Sequence, residues 1–450
     1  MQFILDVVSA LWASITYYLA DILIYGIPIA LIVGYFLRNR RDNSVKNLST
    51  FHSIQEAGLT EPASLHPVVD ANLCVGCGTC VAACPEGNVL GVINDRAHLI
   101  NPTHCIGHGA CKASCPMDAI TLVFGTERRG VDIPLLKPNF ETNMPGIFIA
   151  GELGGMGLIR NAVTQGRQAM EAIIKRIGSI RGPDIDVLIV GAGPSGFSAS
   201  LAAHEAGLNY VTIEQDSLGG SVFHFPRGKL VMTQPAELPI IGKVKINETR
   251  KEALLGFWQA VEKKTGVRIS YQERMEMISQ NSDESITVKT TKGEYQVKTV
   301  LLAIGRRGTP RKLGVPGENL PKVVYNLIDA SQYQGMHVLV VGGGNSALEA
   351  AVSIAEEPGT TVTLSYRSGS FSRAAEQNRD NVSRMESEGR LKVMLHSNVK
   401  EIQEDKVIIK TENGEIEFPN EAVIISAGGI LPTPFLKKIG IQVETKHGMP

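Results

Sequence analysis

The stretch Asp186 to Glu214, DVLIVGAGPSGFSASLAAHEAGLNYVTIE, constrains the fold more than any other part of the chain. Val187 to Val190 is a short apolar run with β-branched residues, the pattern of a strand buried in a parallel sheet. Gly191, Gly193 and Gly196 follow as G-x-G-x-x-G, with Pro194 and Ser195 opening a helical pattern. A second strand, Tyr210 to Ile213, ends at Glu214. In this arrangement Gly191 makes the tight turn, Gly193 lets a pyrophosphate approach the backbone, and Gly196 lets the helix pack on the strand. The helix N-terminus faces the phosphates, and Glu214 is placed to accept hydrogen bonds from a ribose. Strand, glycine turn, helix, strand and acid at this spacing specify a dinucleotide-binding βαβ unit.

A second unit of the same kind follows. Val338 to Val341 is an apolar strand, and Gly342-Gly343-Gly344-Asn345-Ser346-Ala347 reads as G-x-G-x-x-A, with Glu349 in the helix. The next strand, Thr361 to Ser365, has no acid at its end; Tyr366-Arg367 follows, then Arg373. An acid there would bind a 2′-hydroxyl, whereas arginine accommodates a 2′-phosphate, so NADP is favoured over NAD.

The chain has 450 residues, a formal net charge of -1 and 46 glycines. The charge suggests no polyanion partner, and no nucleic acid is expected. All seven cysteines fall between Cys74 and Cys115, which is metal-site clustering rather than a disulfide framework. The first run is Cys74-x2-Cys77-x2-Cys80-x3-Cys84-Pro85. The second, Cys105-x2-His108-x2-Cys111-x3-Cys115-Pro116, repeats the spacing with His108 in place of the second cysteine. The pair resembles the bacterial two-cluster ferredoxin pattern, in which the fourth cysteine of each run serves the other cluster. That resemblance implies one [4Fe–4S] set of Cys74, Cys77, Cys80 and Cys115, and a second set of Cys84, Cys105 and Cys111. Two arrangements fit the second: His108 ligates a [4Fe–4S] cluster, or three cysteines hold a [3Fe–4S] cluster with His108 beside it.

Glu141 to Glu171, ETNMPGIFIAGELGGMGLIRNAVTQGRQAME, resembles the closing segment of thioredoxin-reductase-like flavoproteins. The matches are Thr142, Pro145, Gly146, Phe148, Gly151 and Glu152, then Arg160, Asn161 and Ala162; Glu152 replaces the family's Asp, and Asn161 its Gln. Leu218-Gly219-Gly220 after Glu214, Ala303-Ile304-Gly305 and Val423 to Gly429 resemble further landmarks of that family. The resemblance implies FAD at the first unit, with Gly151, Glu152, Arg160, Asn161, Ala162, Gly219 and Gly220 contributing, and Phe223, His224 and Thr233 as candidates near the ring. It implies NAD(P) at Gly342, Gly344, Asn345, Ser346, Ala347, Arg367 and Arg373. The family usually has two adjacent arginines after the second strand, where this chain has Arg367-Ser368. In the family the closing segment comes last. Here it precedes the first fingerprint, so the flavin domain is expected to be circularly permuted, with the chain's end near Arg128. The family's redox C-x-x-C is missing, and no side-chain acid or base is assigned.

The N-terminal segment is apolar until Arg38, Arg40 and Arg41. About 20 helical residues span a bilayer core, so a span ending at Leu37 would begin near Tyr18. Met1 to Ala20 either extends a tilted helix or lies in the interface. Positive charge only after the span predicts the N-terminus outside, and a single-pass protein of the inner (cytoplasmic) membrane with its remaining domains in the cytoplasm.

The expected organisation is an anchor at 1–41, a linker at 42–65, a two-cluster ferredoxin domain at 66–125 and the closing flavin segment at 126–180. The FAD-binding domain follows at 181–305, the NAD(P)-binding domain at 306–428 and a return to the flavin domain at 429–450. The fold class is α/β: two three-layer Rossmann-like domains, a small α+β ferredoxin-like domain and one N-terminal transmembrane helix. The expected activity moves electrons between NAD(P)H, FAD and iron–sulfur clusters, with a one-electron carrier such as ferredoxin as partner. A subunit of a membrane or quinone-linked redox complex and a non-enzymatic redox sensor are the alternatives. A homodimer is left open.

Overall fold

The computed structural model describes residue 12 and residues 22–62, 65–155, 157–178, 182–232, 235–245 and 248–448. The placement expected for Met1 to Ala20, apart from Trp12, therefore lies outside the described residues, as do Thr233 and Pro450. The chain divides into two compact units. One comprises the N-terminal segment to Glu56, Val68–Asn101 and Ala110–Thr121; the other comprises Ala57–Pro67, Pro102–Gly109 and Leu122–Pro450.

In the smaller unit a π-helical turn, Ile22–Gly26, leads into a 30-residue helix, Ile27–Glu56. Its apolar part ends at Leu37, and the helix runs on through Arg38, Arg40, Arg41, Asp42 and Lys46. Among the described residues no helix is long and apolar enough to cross a membrane. The expected span, its orientation and the inner-membrane location are corrected accordingly: the apolar stretch is one end of a longer polar helix. The expected linker from Asp42 is also helical as far as Glu56. Asn47 donates to the Val92 carbonyl at 3.1 Å, Ser44 accepts from the Asn94 amide at 3.2 Å, and Arg40 pairs with Asp95 at 2.9 Å. All three contacts grip the antiparallel hairpin Leu90–Ile93/Arg96–Leu99. That hairpin turns through Asn94 and Asp95, both at positive φ (47° and 59°), the geometry of a two-residue turn that follows the twist of its strands. Two short helices, Thr79–Ala83 and Ala110–Ala113, pack on one another and carry cysteines of both runs.

The larger unit holds two α/β layers. A seven-stranded sheet runs Ile269–Ser270, Tyr210–Ile213, Ile185–Val190, Glu294–Leu302, Ile286–Thr290, Met275–Gln280, with Ile147–Ile149 added in parallel to Glu294–Leu302. Phe148 and Ile149 are fully buried in it. Helix Ile159–Ile177 packs on helix Pro194–Glu205 at Gly166, where any Cβ would stand 2.0 Å from the Ser195 carbonyl oxygen. A five-stranded parallel sheet follows: Val323–Val324, Ala422–Ile425, His337–Val341, Thr361–Ser365, Leu391–Met394. Its core is built by helix Asn345–Ala355, whose Ala347, Leu348, Ala351 and Ile354 are buried. Near the end of the chain, Val443–Lys446 pairs antiparallel with Val131–Pro134, and the Gly448 amide donates to Phe124 at 2.9 Å.

Candidate functional site

The first glycine turn is dictated by contact. Gly191 has φ 104°, and a Cβ on it would lie 2.6 Å from the Ala303 carbonyl oxygen. On Gly196 it would lie 1.8 Å from the Gly191 carbonyl oxygen. Glu214 is buried at the end of its strand. It accepts from the Ala192 amide at 2.7 Å and the Asp216 amide at 2.9 Å, and burial pushes its carboxyl up against those bonds. The Gly219 amide donates to Ala192 at 3.0 Å, which brings the Gly219–Gly220 loop over the turn. From the other side comes Gly151, at φ 83°, where a Cβ would stand 2.9 Å from that of Ser195. The Gly151 amide is held by Gln165 Oε1 at 2.9 Å. Ser195 Oγ is buried beside these glycines and has no partner among the described residues. A bare backbone cradle with one unsatisfied hydroxyl at a helix N-terminus fits the phosphate-bearing part of FAD.

Gly151, Gly191, Ser195, Glu214 and Gly220 line a cleft of about 1380 Å³ that continues to Ser346 and Glu349 of the second nucleotide unit. A cleft of that size exceeds the usual range for one small ligand, roughly 300–1,000 Å³. Glu152 opens onto it. The protein around Glu152 pushes its carboxyl up, while Arg306 and Arg307 pull it down. Burial lowers both guanidinium groups, and Glu152 opposes that. Arg306 is anchored on the Asp132 carbonyl at 2.9 Å and Arg307 on Asn326 at 2.6 Å. His224 also lines the cleft, its Nε2 3.0 Å from Asp216; burial holds the imidazole below its usual range against the pull of Asp216. Of the other expected flavin-site residues, Ala162 is buried, Asn161 half-buried and Arg160 exposed.

In the second unit Gly342 has φ 147°, and a Cβ there would meet the Ser426 carbonyl oxygen at 2.4 Å. Gly344 caps helix Asn345–Ala355, with Ser346 and Ala347 in its first turn. Tyr366 lies over Gly343 and stacks on Phe371 with ring centroids 5.5 Å apart. Asn345 is already engaged, accepting from the Ala375 amide at 2.6 Å and from Asn378 at 3.0 Å. It holds the loop that carries Arg373, where sequence reasoning has it facing the coenzyme. Arg367 and Arg373 are both exposed. Glu349 pairs with Lys229 and accepts from Asn378 at 3.2 Å.

In the smaller unit Cys74, Cys77, Cys80 and Cys115 line one small pocket with Val69, Ala97 and Ala119. The Ala97 amide donates to Cys74 Sγ and the Ala119 amide to Cys115 Sγ, each at 3.4 Å. Thr79 Oγ1 lies 3.2 Å from Cys77 Sγ. Burial pushes the Cys80 thiol up to about 11, so its thiolate requires the positive charge of bound metal. Among the described residues no three His, Cys, Asp or Glu side chains are drawn tightly enough to hold a single metal ion. Four cysteines around one pocket with amides aimed at their sulfurs fit a cluster. Of the second set, Cys84 and Cys111 belong to the smaller unit, and Cys105 and His108 to segment 102–109 of the larger. There Cys105 Sγ reaches the Leu65 carbonyl at 3.7 Å and His104 pairs with Glu376 at 2.8 Å.

Arg129, Arg306, Arg307 and Gln165 stand outside any fingerprint position and carry no signal in the sequence; Asp216 is likewise unmarked there, although its partner His224 is an expected candidate near the ring.

Two Rossmann-like units share one cleft; the second strand of one ends in the acid Glu214, and the matching strand of the other is followed by Arg367, the architecture of a flavin-dependent pyridine-nucleotide oxidoreductase. A family model described as pyridine nucleotide-disulphide oxidoreductase matches residues 188–450, and the chain belongs to that family. A second model, a 4Fe-4S dicluster domain, matches residues 66–116. The chain is 30% identical over 269 residues to a ferredoxin–NADP reductase of Ignicoccus hospitalis, covering 58% of this chain and 83% of that one. It is 26% identical over 268 residues to the bacilliredoxin reductase Bdr of Bacillus subtilis, covering 58% and 82%. The solved bacillithiol disulfide reductase Bdr of Staphylococcus aureus is 25% identical with a TM-score of 0.51, over 58% of this chain and 81% of that one. The chain is an NAD(P)H-dependent flavoprotein oxidoreductase, and its chemistry is flavin and iron–sulfur electron transfer. With no cysteine outside 74–115, it has no dithiol in the nicotinamide domain.

Proposed function

We propose that this protein oxidises NADPH and delivers the electrons singly, through its iron–sulfur module, to a one-electron carrier such as a ferredoxin. The observation that carries this reading is one polypeptide in which a four-cysteine pocket is followed by the strand Ile147–Ile149 that joins the nucleotide-binding sheet. Bound FAD supplies the conversion of a hydride pair into single electrons, and a bound cluster supplies a one-electron carrier. In balance, NADPH and two oxidised carriers give NADP⁺, two reduced carriers and one proton. The residues do the rest. Gly191 to Gly196 and Ser195 hold the flavin phosphates, Glu214 holds the ribose, and Gly151 and Glu152 close the cradle. Gly342 to Ala347 hold the coenzyme, and Arg367 and Arg373 favour the 2′-phosphate. Cys74, Cys77, Cys80 and Cys115 hold a [4Fe–4S] cluster; the second site takes Cys84, Cys105 and Cys111, with His108 as fourth ligand or neighbour.

We read the chain order as a circular permutation of the flavin domain. Support comes from the pairing of Ile147–Ile149 with Glu294–Leu302, the contact of Gly151 with Ser195, and the hairpin of Val443–Lys446 with Val131–Pro134.

Anaerobic titration with NADPH, followed by absorbance and EPR, tests the function. The flavin should bleach first and a reduced-cluster EPR signal should follow. A bleached flavin with clusters that stay oxidised would overturn transfer to the module; an unbleached flavin would overturn the activity.

A further inference from the structure

Four arginines line the cleft, Arg129, Arg274, Arg306 and Arg307, whereas Arg367 and Arg373 stand outside its lining. Arg129 lies outside residues 188–450, the part of the chain that the family model covers. It sits on a tight turn, Thr126 to Arg129, closed by the Thr126 amide on the Arg129 carbonyl at 2.8 Å and by the Arg129 amide on Thr126 Oγ1 at 3.1 Å. Glu61 clamps that turn by accepting from Thr126 Oγ1 at 2.6 Å. The Arg129 guanidinium is held at one nitrogen, by the Pro62 carbonyl at 3.4 Å, and its side chain lines the same cleft as Ser346 and Glu349. A few residues along, Gly58 packs on Ser370, where a Cβ would stand 3.8 Å from its Oγ. Segment 57–62 thus ties the Arg129 turn to the loop Arg367–Arg373. Burial lowers the Arg129 guanidinium, and the fields of Arg373 and Arg306 add to that, against Glu61. Among the described residues neither Arg129 nor Arg373 has an ion-pair partner. Arg129 and Arg373 lie in each other's field, and the single carboxylate of Glu61 offsets only one of their two charges; the positive charge left over suits a dianion, and a forked donor suits phosphate.

We infer that Arg129 joins Arg373 in binding the 2′-phosphate of NADPH, so that the segment between the cysteine module and the flavin sheet helps select the coenzyme. This rests on the NADP reading above. It also makes coenzyme choice depend on residues 57–62 and 126–129, which no dinucleotide fingerprint contains.

Calorimetric titration of the FAD-loaded full-length protein with NADP⁺ and with NAD⁺ tests it. Arg129→Ala should weaken NADP⁺ binding about tenfold or more, as loss of a charge-assisted bond does, and change NAD⁺ binding by less than about twofold. Arg129→Lys keeps the charge without the fork; it should show a smaller loss of the same sign and serves as the measurement if Arg129→Ala does not fold. Equal effects on the two coenzymes, or none, would overturn the role of Arg129. Arg373→Ala and Arg367→Ala separate this from the underlying reading. If either discriminates and Arg129→Ala does not, only the Arg129 inference fails. If none discriminates, the NADP reading fails with it.

Discussion

Glu141 shows how one carboxylate can tie the closing segment to the sheet. Burial alone would raise its pKa, but the Gly146 amide at 3.0 Å, Lys137 at 2.9 Å and Arg176 at 3.2 Å overcome that and hold it below the usual range. Gly146 belongs to the turn before Ile147–Ile149, Arg176 to the last turn of helix Ile159–Ile177, and Lys137 lies four residues ahead of Glu141. A depressed carboxylate stabilises the folded state fully above its unfolded pKa, about 4.3, and loses that contribution as pH falls through the lower folded value. Glu141→Gln should therefore lower the thermal midpoint at pH 7 and make it fall less steeply below about pH 4.5. A midpoint-versus-pH curve parallel to wild type would show that Glu141 is not held in this way. Glu141 carries no signal in the sequence, because its role depends on Arg176 far along the chain. Gly191, Gly196 and Glu214 are legible there, because turn, helix and acid stand at fixed spacing within one βαβ unit, even though the contact that fixes Gly191 is with Ala303. Arg129, Arg306 and Arg307 are not, because their positions are set by loops that meet only in the folded cleft.

At the scale of elements, the clearest divergence between sequence and structure is the helix Ile27–Glu56. Asn43, Ser44, Asn47, Ser49 and Thr50 have weak helix propensity and read as a linker, yet tertiary contacts override that preference. Asn47 and Ser44 spend their polar groups on Val92 and Asn94, and Phe51 lies 6.2 Å from the His98 ring. The apolar first turns read as a membrane span because hydropathy sums local sequence and carries no information on where a helix continues. Asn47→Ala should cost about 0.5–1.5 kcal/mol, the net value of one hydrogen bond. Hydrogen exchange should report it as faster exchange in residues 44–56. Unchanged protection there would mean that the helix stands without the hairpin. The strands Val187–Val190 and Val338–Val341 were easy to read for the opposite reason: each is apolar throughout, as a strand covered on both faces must be.

At the scale of the whole chain, the order of segments is the feature that most needs a physical account. A sheet does not record the order in which its strands are connected, provided each connection can be made at the surface. Ile147–Ile149 is buried beside Glu294–Leu302 although the fingerprint strand Ile185–Val190 follows it in the chain. Lys446 is paired with Val131, and Gly448 bonds to Phe124. A short loop can therefore join the region of residue 448 to residue 126 as an ordinary antiparallel hairpin. A relinked flavin unit, with residues 182–448 followed by a few Gly/Ser residues and then 126–178, should fold, bind FAD and be bleached by NADPH without any cluster present. Residues 182–448 alone lack the Phe148 strand, Gly151 and the helix that packs on Ser195, so they should retain no FAD. Flavin absorbance after gel filtration reads both. FAD retained by the fragment without 126–178 would show that the closing segment is dispensable to the flavin site. FAD lost from the relinked unit would show that chain order carries more than connectivity.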